Sequence, residues 1–331
     1  MRALGSHGPT ITTVGFGAWA VGGDWLFGWG DQDDRESIAA IHRALDLGIN
    51  WIDTAAVYGL GHSEEVVRRA LDGISERPLV FTKCGLVWDV GAERPRPLEN
   101  LQPVEIRREC EDSLRRLGVD QIDLYQFHWP DETGTPIEES WSTMSDLVTE
   151  GKVRFAGVSN FDAELLARCE AIMHVDSLQP PFNAIQRGFG AETLDWCREH
   201  GTGVIVYSPM MSGLLTGRFS TERMASLPET DWRHGFEEFQ EPRLSRNLAL
   251  AEAMRPIAER HGVTVASVAV AWTLAWDGVT GAIVGARSAE QVDGWIAGGS
   301  LSLSPDELDE LSVAIVASGA GAGPSRPLPA G

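Results

Sequence analysis

Basic residues are scarce in this chain. Of its 331 residues, 27 are Lys or Arg against 48 Asp or Glu, a formal net charge of −21. So acidic a chain repels phosphate backbones and anionic lipid surfaces, which sets nucleic acid and membranes aside as general partners. A local basic pocket for a phosphorylated cofactor stays open. Cysteines are few and scattered. Cys84, Cys110, Cys169 and Cys197 make no C-x-x-C pair, no zinc-type spacing and no disulfide framework, so reduced buried thiols, no metal and a cytoplasmic setting are expected. No apolar run is long enough to span a bilayer, and the first seven residues lack the basic start and apolar stretch of a signal peptide. Also missing is a G-x-G-x-x-G fingerprint with an acidic partner. Gly15-x-Gly17 stands alone, which argues against a dinucleotide-binding doubly wound sheet.

Apolar material is plentiful: 43% of the chain is hydrophobic, enough for a large core. After a candidate hairpin in roughly 1–14, short apolar strands alternate with helical patterns about eight times. Strands are expected at 14–19, 50–53, 78–83, 122–128, 153–158, 177–179, 203–207 and 280–284. Helices are expected at 33–47, 63–71 (Ser63 as N-cap), 103–117 (Gly118 as C-cap), 137–148, 162–171, 193–200, 244–261, 265–276, 289–296 and 305–316. Strand–helix alternation predicts a parallel sheet, and the number fits a (β/α)8 TIM barrel as one domain over 1–317. To the barrel are added the N-terminal hairpin, a long insert after strand 7 (about 210–242) and extra C-terminal helices. Residues 318–331, rich in Gly, Ala, Pro and Ser, read as a disordered tail.

Chemistry gathers at the strand ends. Asp53 and Tyr58 leave one strand, Lys83 ends the next, and His128 ends the one after. Each has a plainer reading: a turn cap, a half-buried phenol, a snorkelling lysine, a satisfied histidine. Together, at neighbouring strand ends, they compose a proton donor. A phenol is too weak an acid near its ordinary pKa of ~10. A lysine beside it lowers that value, an aspartate holds the lysine, and Tyr58 with His128 polarises a carbonyl ready for hydride.

At this point the sequence resembles the aldo-keto reductase superfamily, in its bacterial branch related to potassium-channel β-subunits and inositol- or sugar-linked reductases. The resemblance rests on Asp53-Thr54-Ala55-x-x-Tyr58-Gly59, Thr82-Lys83, His128 in Tyr125-Gln126-Phe127-His128-Trp129-Pro130, Gly157-Val158-Ser159-Asn160, Gln179 with Phe182-Asn183, Tyr207-Ser208-Pro209, Gly213-Leu214-Leu215-Thr216-Gly217 and Gly285-Ala286-Arg287-Ser288. It implies NADP(H) bound without a Rossmann fold, with Tyr58 as general acid/base tuned by Lys83 and His128, and Asp53 paired to Lys83. It also implies Gly17, Ala18 and Trp19 near the cofactor. Asp53, Ser159, Asn160 and Gln179 would lie at the nicotinamide and Tyr207 would stack on its ring. Ser208, Met210, Ser212 and Arg218 would follow the pyrophosphate, and Gly285, Arg287 and Gln291 would surround the 2′-phosphate. Arg287 at a helix start is a poor place for a cation unless an anion joins it; Arg218 can instead pair within the acidic insert. Where many relatives carry Glu-Asn toward adenine, this chain has Gly294 and Trp295.

Aromatic residues Trp25, Phe27, Trp29, Trp88 and Trp129 fall in loops after strands and suit a small-molecule carbonyl or alcohol pocket, or serve as loop anchors. The insert, with Trp232, Phe236 and Phe239, suits a lid. The function expected is NADPH-dependent, reversible reduction of an aldehyde or ketone, such as a sugar, deoxysugar or cyclitol. The rival is an NADP-redox-sensing regulatory protein like a channel β-subunit. A barrel hydrolase using Asp53 is disfavoured by the wealth of cofactor-type motifs. No sustained heptad speaks to oligomeric state.

Overall fold

Side chains of a strand face opposite sides in turn. Trp51 and Asp53 therefore share one face, as do Phe81 and Lys83, Leu124 and Gln126, and Ile205 and Tyr207. The computed structural model, which describes residues 1–92 and 95–327, turns that face inward. The strands are β1 (Val14–Gly17), β2 (Trp51–Asp53), β3 (Leu79–Cys84), β4 (Ile122–Phe127), β5 (Val153–Ser159), β6 (Ser177–Gln179), β7 (Gly203–Val206) and β8 (Val279–Gly285). They pair in parallel in chain order, and β8 closes on β1, giving the expected (β/α)8 barrel. The register sets Gly17 beside Asp53 and Asp53 beside Phe81.

Trp51, Phe81, Leu124, Ile205 and Ile283 fill the lower barrel together with Leu4 and Ile11. Those two come from the N-terminal hairpin, in which Arg2–Ala3 pairs with Thr10–Ile11. Gly15 makes room for Trp51, since a methyl group there would lie 2.2 Å from the indole ring. The indole is fixed in turn, with its Nε1 donating to the Thr12 carbonyl at 2.9 Å. Two residues further along the same strand faces, the interior becomes polar.

The helices are α1 (Asp34–Asp46), α2 (His62–Leu71), α3 (Pro103–Leu117), α4 (Ile137–Thr149), α5 (Ala163–Glu170), α6 (Gly190–His200), α7 (Thr221–Ala225), α8 (Arg243–Ala253), α9 (Arg255–His261), α10 (Val265–Leu274), α11 (Ala289–Asp293) and α12 (Pro305–Ser318). Their apolar stripes bury Ile41, Val66, Ile106 and Leu147, among others, against the barrel. Gly118 ends α3 at φ 66°, as expected. Ser63 does not cap α2. Gly61, at φ 104°, precedes the helix, and the buried Ser63 hydroxyl donates to the Ala18 carbonyl instead. The single helix expected at 244–261 is two, because Pro256 lacks the N–H that would continue α8. The helix expected at 289–296 stops at Asp293, and a short 3-10 turn follows at Ile296–Gly299.

The insert is structured, with α7 and 3-10 turns at Met211–Thr216, Trp232–Gly235 and Glu237–Phe239. A two-stranded ribbon, Leu86–Val87 against Leu98–Glu99, follows β3. Beyond α12, where disorder was expected, residues 319–327 pack on the barrel. Arg187 donates to the Ala320 carbonyl at 3.2 Å, and a methyl group at Gly321 would fall on the Ile185 carbonyl. Small residues serve close backbone approach there. Residues 328–331 lie outside the described residues. The four cysteines are free and buried on β3, α3, α5 and α6, and burial pushes the Cys110, Cys169 and Cys197 thiols up to about 12. No helix among the described residues is long and apolar enough to cross a membrane.

Candidate active site

The polar layer begins with a buried ion pair. Lys83 Nζ donates to Asp53 Oδ1 at 2.5 Å and to the Thr54 carbonyl at 2.9 Å, and lies 3.5 Å from the Tyr58 hydroxyl. Pairing two buried charges succeeds only where further hydrogen bonds complete them. Asp53 Oδ2 accepts from Gln179 Nε2 at 2.9 Å, and Gln179 also reaches Gln126 Oε1 at 3.4 Å. One brace thus spans β2, β3, β4 and β6. Behind it, Thr82 donates to the buried Glu64 at 2.6 Å, and Glu64 holds Arg116 at 2.6 Å. Desolvation lowers the Lys83 pKa, opposed by Asp53 and then Glu64. Gln126 was missed in the sequence, although its place two residues before His128 marks it as inward-facing.

Tyr58 is set by the turn after β2. Gly59, Leu60 and Gly61 are all left-handed, at φ 60°, 56° and 104°, and reverse the chain into α2. The Tyr58 ring meets His128 edge-on, with centroids 5.6 Å apart. Lys83 was expected to lower the phenol's pKa. Instead, burial and then the Asp53 charge push it well above its ordinary value. The physical reason is that Asp53 neutralises the ammonium while desolvation disfavours phenolate. Burial, followed by Lys83, pushes His128 well below its ordinary value. At neutral pH the site presents an uncharged phenol and an uncharged imidazole, both able to donate to one oxygen.

Next along the rim, Ser159 Oγ donates to the Gln179 carbonyl at 2.7 Å, and Asn160 Nδ2 to the His128 carbonyl at 2.9 Å. Tyr207 donates to Asn160 Oδ1 at 2.9 Å. Among the described residues, the non-glycine positions with positive φ are Leu60, Asn160, Ser208, Met211 and Ser212. All five lie in loops leaving β2, β5 and β7 at this rim, and such backbone clusters where ligands are gripped. A loop such as 208–213, in which Ser208, Met211, Ser212 and Gly213 are left-handed, suits an anion like pyrophosphate. Met210 and Ser212 are half-buried within this run, whereas the Arg218 side chain is exposed. Gly17 pairs with Gly285 across the β1–β8 seam, and Ala18 N–H donates to the Asp53 carbonyl at 2.8 Å.

Arg287 is already engaged. Its Nε donates to Gln32 Oε1 at 2.7 Å and its Nη2 to the Asp31 carbonyl at 2.5 Å, while Gln32 donates back to the Arg287 carbonyl at 2.9 Å. Gln291 accepts from the Arg287 N–H at 2.9 Å. Trp295 is buried in the core rather than at the rim. The donors at Ser159, Asn160, Gln179, the 208–213 loop and Arg287 are of the types a nicotinamide dinucleotide laid along this rim needs.

Aromatic residues crowd the phenol. Trp19 and Trp25 lie 6.5 and 6.4 Å from the Tyr58 ring. Trp29 packs on Trp19 at 5.2 Å, and Trp232 from the insert packs on both, at 5.3 and 5.6 Å. Trp19, expected beside the cofactor, thus sits within the aromatic cluster. Among the described residues no ring contact joins Trp88 or Trp129 to this cluster. Trp88 is half-buried beside the ribbon, and Trp129 is 41% exposed in a groove with Glu99, Asp131 and Asn160.

The Aldo/keto reductase family profile matches residues 13–315. The aldo-keto reductase YhdN of Bacillus subtilis is 35% identical over 294 residues, covering 88% of this chain and 86% of that protein. The NADH-specific methylglyoxal reductase of Escherichia coli is 34% identical over 312 residues, covering 91% and 94%. Among solved structures, the glycerol dehydrogenase of Gluconobacter oxydans superposes with a TM-score of 0.87 at 38% identity over 96% of this chain and 95% of its own. An aldo-keto reductase of Bacillus halodurans in its holo form gives 0.76 at 26% identity, covering 95% of each chain. With its barrel, its rim and a match running nearly end to end, this chain belongs to the aldo/keto reductase family.

Proposed function

We propose that the protein reduces an aldehyde or ketone to an alcohol, reversibly, with a nicotinamide cofactor, and that Tyr58 supplies the proton. The observation that carries this reading is the buried Lys83–Asp53 pair standing 3.5 Å behind the Tyr58 hydroxyl, with His128 against the same phenol. The cofactor, when bound, supplies the hydride. Tyr58 and His128 donate to the substrate oxygen and polarise its carbonyl. As negative charge grows on that oxygen, Tyr58 gives up its proton, and the Lys83 ammonium beside it stabilises the phenolate left behind. Asp53 and Gln179 hold Lys83 in place. Tyr207, Ser159 and Asn160 are assigned to the nicotinamide end, and Ser208, Met210, Ser212 and Arg218 to the pyrophosphate. The reduced, buried thiols suit action in the cytoplasm.

NADPH is the cofactor we assign, because Arg287 and Gln291 stand at the β8 end where an adenosine 2′-phosphate would lie. The engagement of Arg287 by Gln32 and Asp31 favours NADH instead, as does a relative named NADH-specific. The test is a screen of aldehydes, ketones, keto-sugars and cyclitol ketones in both directions with both cofactors. NADPH is expected to give the higher kcat/KM, and Arg287→Ala to lose that preference at least tenfold. Equal or better kinetics with NADH, unchanged in Arg287→Ala, overturns the assignment.

A further inference from the structure

The first turn of α2 lies on the outer side of the strands, and its side chains reach the ends of β1, β2 and β3. Ser63 donates to the Ala18 carbonyl after β1 at 2.8 Å, and its oxygen lies 2.9 Å from the Thr54 hydroxyl after β2. Glu64 accepts from the Thr82 hydroxyl on β3 at 2.6 Å. Thr82 immediately precedes Lys83. Strand alternation therefore turns the Thr82 side chain outward, toward α2, while Lys83 turns inward to Asp53.

Glu64 is the charged member of this turn that is wholly buried, between helix and strand. A carboxylate is unfavourable there unless both oxygens are paired. Here both are. Oε1 takes the Thr82 bond, and Oε2 accepts from Arg116 Nε of α3 at 2.6 Å. Arg116 in turn lies against the turn that follows Tyr58, since a methyl group at Gly61 would be 2.9 Å from its Cδ. One side chain, held at both oxygens, thus touches the strand carrying Lys83 and, through Arg116, the turn carrying Tyr58. Those two parts set the 3.5 Å between Lys83 Nζ and the Tyr58 hydroxyl. Burial lowers the Lys83 pKa, and the Glu64 charge joins Asp53 in opposing it.

Building on the reductase reading, we propose that Glu64 is a positioning residue for proton transfer. Its bond to Thr82 fixes β3 at the height of Lys83, and its bond to Arg116 clamps the turn bearing Tyr58. Ammonium and phenol then stay within reach of each other as the phenol gives up its proton. Glu64 itself, buried behind the strand, offers no surface to substrate or cofactor. Its loss therefore slows the chemical step and leaves nucleotide binding alone.

The test uses the full chain and three variants. Thr82→Val keeps the shape and removes the hydroxyl, Glu64→Ala removes both bonds, and Glu64→Gln can keep both. Single-turnover rates are read with bound NADPH or NADH against 4-nitrobenzaldehyde and methylglyoxal, because slow product release can mask the chemical step in kcat. Nucleotide Kd is read by fluorescence titration. Thr82→Val and Glu64→Ala are expected to slow the single turnover about tenfold with Kd within twofold of the wild-type value, since a reacting group misplaced by ~1 Å can cost ~100-fold. Glu64→Gln is expected to run at least threefold faster than Glu64→Ala. Should Glu64→Ala fail to fold, Thr82→Val decides. The proposal is overturned if Thr82→Val keeps the wild-type rate within twofold, or if Glu64→Gln is no faster than Glu64→Ala. It is also overturned if nucleotide affinity falls in step with the rate, as it would where the fold simply loosens. A wild-type protein that binds nucleotide but reduces no carbonyl compound of the wider screen strikes the reductase reading itself, and this role falls with it.

Discussion

Tyr58 is one of only three tyrosines in the chain. Two of them, Tyr58 and Tyr207, stand at the rim, and the third, Tyr125, is buried on β4. Tyr58→Phe keeps the ring contacts to His128, Trp19 and Trp25 and removes only the hydroxyl. Nucleotide binding, read by fluorescence titration, should be retained while turnover falls by a factor of ~100 or more, the usual worth of a positioned acid. Near-wild-type turnover would refute the role given to this residue. A second residue matters to stability. Glu109, on α3, is buried and accepts from the Gly85 N–H at 2.6 Å, directly after β3. Burial holds its carboxyl up to about 7, against 4.5 for an ordinary glutamate. Between those values the folded protein keeps a proton that the unfolded chain has released, so the contribution of Glu109 to stability is full below pH 4.5 and is lost as pH rises to about 7. The full loss is about 3 kcal/mol. His128, held low, acts in the opposite sense, costing stability as pH falls below about 6.5. Glu109→Gln removes the first slope alone. Denaturant unfolding at pH 5 and pH 8 should show the variant gaining about 2–3 kcal/mol on the wild-type protein between the two; equal slopes would show that Glu109 does not titrate in this window.

At the scale of the element, the strands explain why the site is where it is. Residues two apart share a face, so the apolar layer of Trp51, Phe81 and Leu124 carries Asp53, Lys83 and Gln126 directly above it. A fault in the lower layer should therefore be costly. Gly15→Ala places a methyl group 2.2 Å from the Trp51 ring, whose indole is tied to Thr12 and cannot withdraw freely. A loss of about 3 kcal/mol is expected in denaturant unfolding. Gly188→Ala, where nothing lies within 4 Å, is the control and should stay within ~0.5 kcal/mol. The same logic separates what could be read from the sequence and what could not. Asp53, Lys83 and His128 were legible because each interrupts an apolar run at its carboxyl end. Gln126 was passed over, since a glutamine inside a strand looks like a lapse until His128, two residues on, is used to mark the strand's inner face. Ser63 misled because a serine at a helix start has two uses, and only the fold brings the Ala18 carbonyl within its reach. Pro256 and Gly294 are breaks that local pattern passed over in favour of longer apolar periodicity.

At the scale of the whole molecule, strand–helix alternation was enough to find the barrel, because eight such units have few ways to close. The insert was harder. Its residues lack a period, and Trp232 reaches the site through long-range packing on Trp19 and Trp29, from more than two hundred positions away. The joining of Gln32 to Arg287 is equally invisible along the chain. The four cysteines have a different consequence. Each lies buried on a different element of the barrel, and at least three are pushed far from ionisation at neutral pH. An alkylating reagent can reach them only when the element carrying each one opens. The protein thus holds four native stopwatches, one on β3 and one each on α3, α5 and α6. Mass-resolved labelling over time would order those openings without a single engineered probe, and would tell whether the strand bearing Lys83 loosens before or after the helices that surround it.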